Sequence, residues 1–437
     1  MLANRRQGCR RSNGCRRSDM KRKIFFAILL LLIASQIPFA YRRYRLRKLQ
    51  TAIQQLAGQR ISAPADDQYL DYKGVIHVHS FLGGHSTGPF TELIAAAKAN
   101  QLDFVMMTEH PQTAFDTSAM TLDGPHEGVL FVNGNEVGTG NGDRLLLIPG
   151  TAQAASASGR PTQDLINEQR ANNGLSFVAY PSESQNWPQT TANGVEVYNL
   201  FTNAREINRL VTFFDGLWSF GSYPDLMFAN FFSRPSENLK RWDEAMVRNR
   251  RLVAIAGNDA HSNIGLSLND SSGKQWLGLK LDPYERSFRV VRTHVLIRKG
   301  QPLTRDSLLE AINQGHCYIG FDIFGDPSGF TFAALDPNNP ELFSTVMGGS
   351  VPATGRTQLT ASAPLACRFV LYRDGIAIDQ KMGSKVEFTV DHSGRYRVEA
   401  YLDSLPPPAR GQPWIISNPI YVEPILAKGL GSSWATT

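Results

Sequence analysis

The chain has 437 residues, enough for two or three domains, because single hydrophobic cores stop growing well before that length. With 42% hydrophobic and 19% charged residues it has the composition of a folded protein, which excludes global disorder. The net charge of +6 is unevenly spread: residues 1–48 carry 14 Lys and Arg against one acidic residue, Asp19, leaving 31 against 38 in the remainder. The body is therefore acidic, and a basic groove for nucleic-acid phosphates is not suggested.

Residues 1–23 form a basic tail that includes the tandem repeat GCRRSNGCRRS, and Met20-Lys-Arg-Lys reads as a natural start. The run from Ile24 to Tyr41 spans 18 residues, opening with IFFAILLLLIA. That is near the short end of the ~17–25 needed to cross a bilayer. A cleaved signal peptide needs small residues before its cleavage point, and Pro38 and Ala40, followed by two arginines, fit poorly. An uncleaved signal anchor over 24–41 fits better. Nine Lys and Arg precede it and five follow, which favours a cytoplasmic N-terminus; counted from Met20 the ratio is three to five and the rule loses its force. The expectation is a single-pass membrane protein with a periplasmic or extracellular body, joined by a juxtamembrane linker over 42–70 that starts as a short polar helix.

Of four cysteines, Cys9 and Cys15 lie in the tail, leaving Cys317 and Cys367. No C-x-x-C pair exists, so thiolate zinc sites and redox motifs are excluded; the two body cysteines either pair or stay as buried thiols.

Within the body one pattern recurs, a short apolar run ending abruptly in polar residues. Gly74–Ile76 leads into His77-Val78-His79-Ser80, Phe104–Met107 into Thr108-Glu109-His110, and Val129–Val132 into Asn133-Gly134-Asn135-Glu136. Leu175–Ala179 leads into Tyr180-Pro181, Val195–Val197 into Tyr198-Asn199, and Leu252–Ala256 into Gly257-Asn258-Asp259-Ala260-His261. Such runs read as strands buried on both faces, hence a parallel sheet. Helical periodicity predicts helices over Pro89–Ala99 and Thr162–Ala171, one capped by Ser236, and one capped by Thr304. Strands alternating with helices predict βα units, and at least six of them within about 250 residues point to an α/β barrel more than to an open sheet. Ala333–Pro340 reads as linker, within a linking segment 326–342. Short β-type runs over 343–437, with a hairpin turn at Arg373-Asp374-Gly375, read as an all-β sandwich-like domain.

Five of nine histidines fall at or just after these strand ends. In His77-Val78-His79 the imidazoles share a face by the two-residue period of a strand, leaving Ile76 and Val78 on the packed side. His85 follows a loop with two glycines, and His110, Glu136, Asp259 and His261 come from other strand ends. One such fragment alone is more often a hydrogen-bonded core histidine. Their joint placement is different: buried without compensation, these groups would cost several kcal/mol, and a divalent ion is the simplest compensation. The loop 112–128, with Asp116, His126 and Glu127, reads as plain surface, and His294, His316 and His392 as structural or exposed.

H-V-H-S at 77–80, His85, T-E-H at 108–110, Glu136 and D-A-H at 259–261 together resemble the polymerase-and-histidinol-phosphatase (PHP) superfamily. R-Y-R-V-E at 395–399 and P-W-I-I-S-N-P-I-Y-V at 413–422 resemble its CehA/McbA-type metallohydrolase branch. The resemblance covers about 71–325 and implies a distorted (β/α)7 barrel with two or three divalent metal ions, of which two (Zn, Mn or Fe) are expected here. His77, His79, Glu136 and Asp259 would hold one; His85, His110 and His261 would hold a second. Relatives with A-H-P where this chain has Ala179-Tyr180-Pro181 supply a third position. Here Tyr180 is a weak ligand, a proton donor or filler, and a supporting role beside Glu196 and Asn199 is favoured. Asp259, Glu136 and His261 are the catalytic candidates. The implied function is metal-dependent hydrolysis of a phosphorylated small molecule. The alternatives are an ester, amide or carbamate hydrolase, and a non-catalytic metal-binding envelope module.

Overall fold

The apolar runs become strands, and the polar residues that end them gather at one end of a ring of strands. A computed structural model describes residues 8–61, 68–184, 186–205, 208–230, 232–248, 251–263, 265–269, 275–336 and 339–424. Helix α1 (Gly8–Ala57) comes first, and from Met20 to Ala57 it is long and apolar enough to cross a membrane. The linker expected over 42–70 is thus helical as far as Ala57. Leu46, Leu49, Ile53 and Leu56 recur at helical spacing and pack on the body, which extends the helix through a stretch read as polar. Residues 62–67 of that segment lie outside the described residues.

There follow β1 (Tyr69–Val78), α2 (Phe90–Ala99), β2 (Phe104–Met107), α3 (Thr117–Met120), β3 (Gly124–His126), β4 (Val129–Val132), β5 (Asn135–Gly138), β6 (Arg144–Ile148) and α4 (Thr162–Ala171). Then come β7 (Leu175–Ala179), β8 (Gly194–Asn199), α5 (Leu200–Arg205), α6 (Arg209–Ser219), α7 (Ser236–Val247) and β9 (Val253–Ala260). Parallel pairings run β4–β2–β1–β9–β8–β7. Strand β6 lies antiparallel between β7 and β5, and a parallel bridge from Glu109 to Asn135 closes the ring. The expectation of a wholly parallel sheet fails at β6. The turn before it contains Asn141-Gly142, with Gly142 at φ 80° and the Thr139 amide donating to the Asp143 carbonyl at 2.9 Å, a hairpin that reverses the chain. Ile76, Met106, Val132, Phe177 and Ile255 form one buried cluster; Val75, Val105 and Phe131 join Leu93 and Ala97 of α2 in another. Burial on both faces is what the unbroken apolar runs required.

The chain continues through β10 (Gly265–Asn269), β11 (Gln275–Lys280), α8 (Tyr284–Ser287), β12 (Arg292–Arg298), α9 (Arg305–Asn313) and β13 (Cys317–Gly320). After these come β14 (Thr331–Asp336), β15 (Asn339–Val346), β16 (Ser350–Pro352), β17 (Thr357–Arg373), β18 (Ile376–Val390), β19 (Gly394–Tyr401), β20 (Ile415–Ser417) and β21 (Ile420–Glu423). Thr304 caps α9 reciprocally with Ser307 as expected, whereas Ser236 is the first residue of α7 and makes no capping bond. Much of the stretch read as linker is strand: β14 and β15 pair, and Ala333 and Ala334 are wholly buried, because Phe332-Ala333-Ala334-Leu335 is apolar enough to enter the core; residues 337 and 338 of that stretch lie outside the described residues. Asp374 and Gly375, at φ 50° and 84°, make the expected turn between β17 and β18. The C-terminal strands are not wholly antiparallel, since β16 runs parallel to β21. Nor do they stand apart, because β1–β12–β13–β20 is a continuous hydrogen-bonded ladder. Cys317 and Cys367 are buried free thiols.

Where β1, β12 and β13 meet, buried His294 lies between Asp71 at 3.1 Å and Asp322 at 3.4 Å. Burial opposes its protonation, but the Asp71 and Asp322 carboxylates outweigh that and hold it up at about 9. A raised folded-state value contributes stability that is fully present below the unfolded value of 6.5 and lost as pH rises through about 9. The melting temperature should therefore fall between those limits, by an amount corresponding to roughly 3 kcal/mol. His294→Gln should flatten that slope; an unchanged slope in the variant would refute the assignment.

Candidate metal centre

Backbone kinks aim the side chains inward. His77, Tyr180 and Asp259, at the ends of β1, β7 and β9, adopt left-handed φ values of 68°, 50° and 48°. Such values are uncommon for non-glycine residues and cost of order 1–3 kcal/mol each, so the surroundings must enforce them. At His77 the register of β1 slips. Ile76 consequently belongs to one cluster and Val78 to the other, not to one shared face as strict alternation implied. Both imidazoles still converge, with ring centres 5.1 Å apart. Gly257 matters for the same reason: a Cβ there would stand 1.6 Å from the Glu196 carboxylate that passes over it.

Four donors meet around one point. His77 Nε2 lies 3.1 Å from Glu136 Oε2 and 3.4 Å from Asp259 Oδ1; His79 Nε2 lies 3.2 Å and 3.4 Å from the same oxygens. His79 is also stacked between the rings of His110 and His261, at 4.6 and 4.4 Å. Ligand atoms of His77, His79, Glu136 and Asp259 all lie within 4.8 Å of one another, and so do those of His79, His110 and His261. His85 is exposed, its ring 4.8 Å from His110, and among the described residues it joins neither group.

The test of fit is His79. It is fully buried, yet among the described residues neither of its ring nitrogens makes a hydrogen bond, although two carboxylates stand close by. Buried polar atoms in folded proteins are normally satisfied. Separations of 3.1–3.5 Å between donors are also what a shared ion demands, since ligands at 2.0–2.1 Å in a tetrahedron sit about 3.3 Å apart. These residues fit a divalent cation.

Other polar groups hold these side chains in place. His77 Nδ1 meets Glu196 Oε1 at 2.6 Å, and Asn199 donates to Glu196 at 3.1 Å and to Asp259 at 3.5 Å. The Tyr180 hydroxyl donates to Asp259 Oδ2 at 2.5 Å, and Arg144 donates to Glu136 Oε1 at 3.1 Å. Partners of this kind fix ligand orientation. Burial, then the Asp259 carboxylate, pushes the Tyr180 phenol far up, so it remains a donor. Burial, then the neighbouring His79, lowers both His110 and His261 to about 4, leaving them neutral with lone pairs available near pH 7. His77 and His79 go the other way: burial opposes protonation, but the surrounding carboxylates prevail, raising His79 to about 9. Burial works against the charged forms of Glu136 and Asp259, yet the histidines hold both well below the usual carboxylate range. The pocket calls for positive charge at its centre, from protons or from an ion.

Three contributors escaped the sequence reading. Glu109, wholly buried, accepts the Ser80 amide and the Thr121 hydroxyl and so fixes the chain after His79; T-E-H had been read for its histidine alone. Arg144 opens β6, the strand the parallel reading omitted. Phe201 packs 5.5 Å from His261. Arg144 and Phe201 border a cavity of about 540 Å³ with His85, His110 and His261, within the range of small-molecule sites. In the loop 112–128, Asp116 caps α3, Glu127 pairs with Lys98, and the His126 ring lies 3.1 Å from the Asp123 carbonyl.

No family model and no curated protein matches the chain. Solved structures similar to it include a two-domain protein from Bacteroides vulgatus containing a predicted PHP-like metal-dependent phosphoesterase. That pair shares 14% identity over 82% of this chain and 98% of the other, with a TM-score of 0.37. PsfC from Pseudomonas syringae is also similar, at 14% identity over 56% of this chain and 90% of its own, with a TM-score of 0.35.

Proposed function

We propose that this chain is a membrane-anchored, metal-dependent phosphoesterase of the PHP type. In this reading residues 71–325 form the (β/α)7 barrel and the strands after residue 343 a supporting β domain. The 24–41 span anchors a body outside the cytoplasm. The observation that carries the reading is His79, buried without a hydrogen bond at the meeting point of two donor groups.

His77, His79, Glu136 and Asp259 would hold one ion; His110 and His261, beside His79, would hold a second, with His85 at its open side. A bound divalent ion lowers the pKa of its water from 15.7 toward about 7 and polarises a phosphoryl oxygen. The chain supplies the rest. Tyr180 and Asn199 orient Asp259, and Glu196 fixes the His77 ring. His261 commits Nδ1 to the Asp259 carbonyl at 2.8 Å, so its Nε2 serves as a ligand or moves a proton, not both at once. Arg144 supports an anionic substrate, since its half-exposed guanidinium borders the cavity and has donors beyond the one given to Glu136.

The full chain in detergent should purify with divalent metal and hydrolyse simple phosphate esters, losing turnover to a chelator and regaining it with Zn, Mn or Fe. At saturating metal, Arg144→Met should raise KM for phosphate esters about tenfold, consistent with one lost charged hydrogen bond, and it should also weaken metal binding because Glu136 loses its partner. Metal with turnover of carbamates or carboxylic esters alone would replace the phosphate assignment, and a metal-free chain would overturn the whole reading.

A further inference from the structure

Helix α6 wears its apolar side outward. Leu210, Phe213, Leu217 and Trp218 are 67, 51, 67 and 37% exposed, and their spacing places them along one face. The opposite side turns Asp215 and Ser219 inward, 3 and 1% exposed. A helix on the surface of a soluble domain has the reverse polarity.

Its neighbour gives the reason. Helix α6 packs on residues 36–43 of α1. The Phe39 and Phe214 rings lie 5.2 Å apart, the Trp218 indole donates to Gln36 at 3.1 Å, and Arg42 pairs with Asp215 at 2.6 Å. Arg43 donates to Ser222 at 2.9 Å and to the Trp218 carbonyl. The apolar run of α1 ends at Tyr41, so α6 sits at the level where that span would leave the hydrocarbon. Tyr41, Tyr44 and Trp218 are exposed together at that level, the arrangement of an interfacial aromatic belt, with Arg42 and Arg43 just beyond the span. The outward face of α6 thereby continues the exposed apolar surface of α1, where Ile33 and Ile37 are 62 and 64% exposed.

We propose that α6 is an interfacial membrane helix, its apolar face seated at the headgroup–acyl boundary of the bilayer that α1 crosses. The proposal rests on reading α1 as the anchor. Its occupant is lipid, because the helix that carries the patch packs on the end of the apolar span and basic residues flank it.

The full chain in nanodiscs tests it, with bromine placed either near the headgroups or deep in the acyl chains. The fluorescence that Trp218→Phe removes should be quenched by roughly half by shallow bromine and little by deep bromine, as expected for a helix lying some 5–10 Å below the surface. The double variant Leu210→Glu/Leu217→Glu should lose that quenching while keeping the fold by circular dichroism and its resistance to alkaline extraction. A chain that resists extraction but shows no Trp218 quenching would overturn α6 as a lipid contact and leave the anchor standing. A chain fully released by alkali would overturn the anchor reading and the proposal with it. Efficient disulfide crosslinking between copies of Leu217→Cys, with Trp218 unquenched, would assign the face to a second copy and overturn it as well.

Discussion

His79→Ala should strip the centre of metal and lower kcat/KM by on the order of a thousand-fold or more, because the ion that activates water goes with it. His79 is the one side chain common to both donor groups, so its loss removes a ligand from each at once. It is also the middle ring of the His110–His79–His261 stack. Glu196→Gln makes the useful contrast. It keeps all ligands but weakens the bond that fixes His77, and should cost about 10–100-fold in metal affinity. Elemental analysis of each purified variant, with single-turnover rates at saturating metal, separates the two. If His79→Ala retained its metal and its turnover, the donor convergence would have no catalytic meaning.

The second large effect concerns folding. Arg397, 1% exposed on β19, donates to Asp243 of α7 at 3.0 and 2.7 Å and to Glu399 at 2.6 Å. Arg234 also reaches Glu399, at 2.8 Å, so α7 and β19 are joined through buried charge. Burial raises the Glu399 carboxyl, but Arg234 and Arg397 outweigh it and hold it at about 2. Its contribution is therefore complete above the unfolded value of 4.5 and disappears as pH falls through about 2. Arg397→Met should cost about 3–5 kcal/mol near pH 7, because it leaves buried carboxylates without their partner. Adding Asp243→Leu should restore a large share, since a well-packed apolar replacement avoids the desolvation cost. Thermal and denaturant unfolding would measure both; equal stability of Arg397→Met and the parent would refute the account.

Much of the candidate site was legible because most of its side chains stand where an apolar run breaks off, and burial on both faces leaves those runs a distinctive composition. His77, His79, Glu136 and Asp259 were grouped by the family resemblance, and the structure brings their donor atoms together. His85 was placed with His110 and His261, but a loop residue's reach is not written in its spacing, and it stays exposed beside them. The left-handed kinks at His77, Tyr180 and Asp259 could not be foreseen, because tertiary contacts impose them against local preference. Strand β6 was signalled by Asn141-Gly142, and reading that turn as a reversal would have placed Arg144 at the cavity mouth. The supposed linker at Ala333–Pro340 misled because its prolines and asparagines drew attention from the apolar residues just before them.

The ladder from β1 through β12 and β13 to β20 bears on how this polypeptide can be shortened. Asn418, beyond β20, donates to the Ala254 and Cys317 carbonyls and accepts the Ala254 amide, propping the strand that carries Asp259. A form ending before residue 343 would bare the unpaired edge of β13 and withdraw that prop. Exposed strand edges invite pairing with other chains. Aggregation of such a fragment would then reflect an open border in the sheet and say nothing about the ligands themselves.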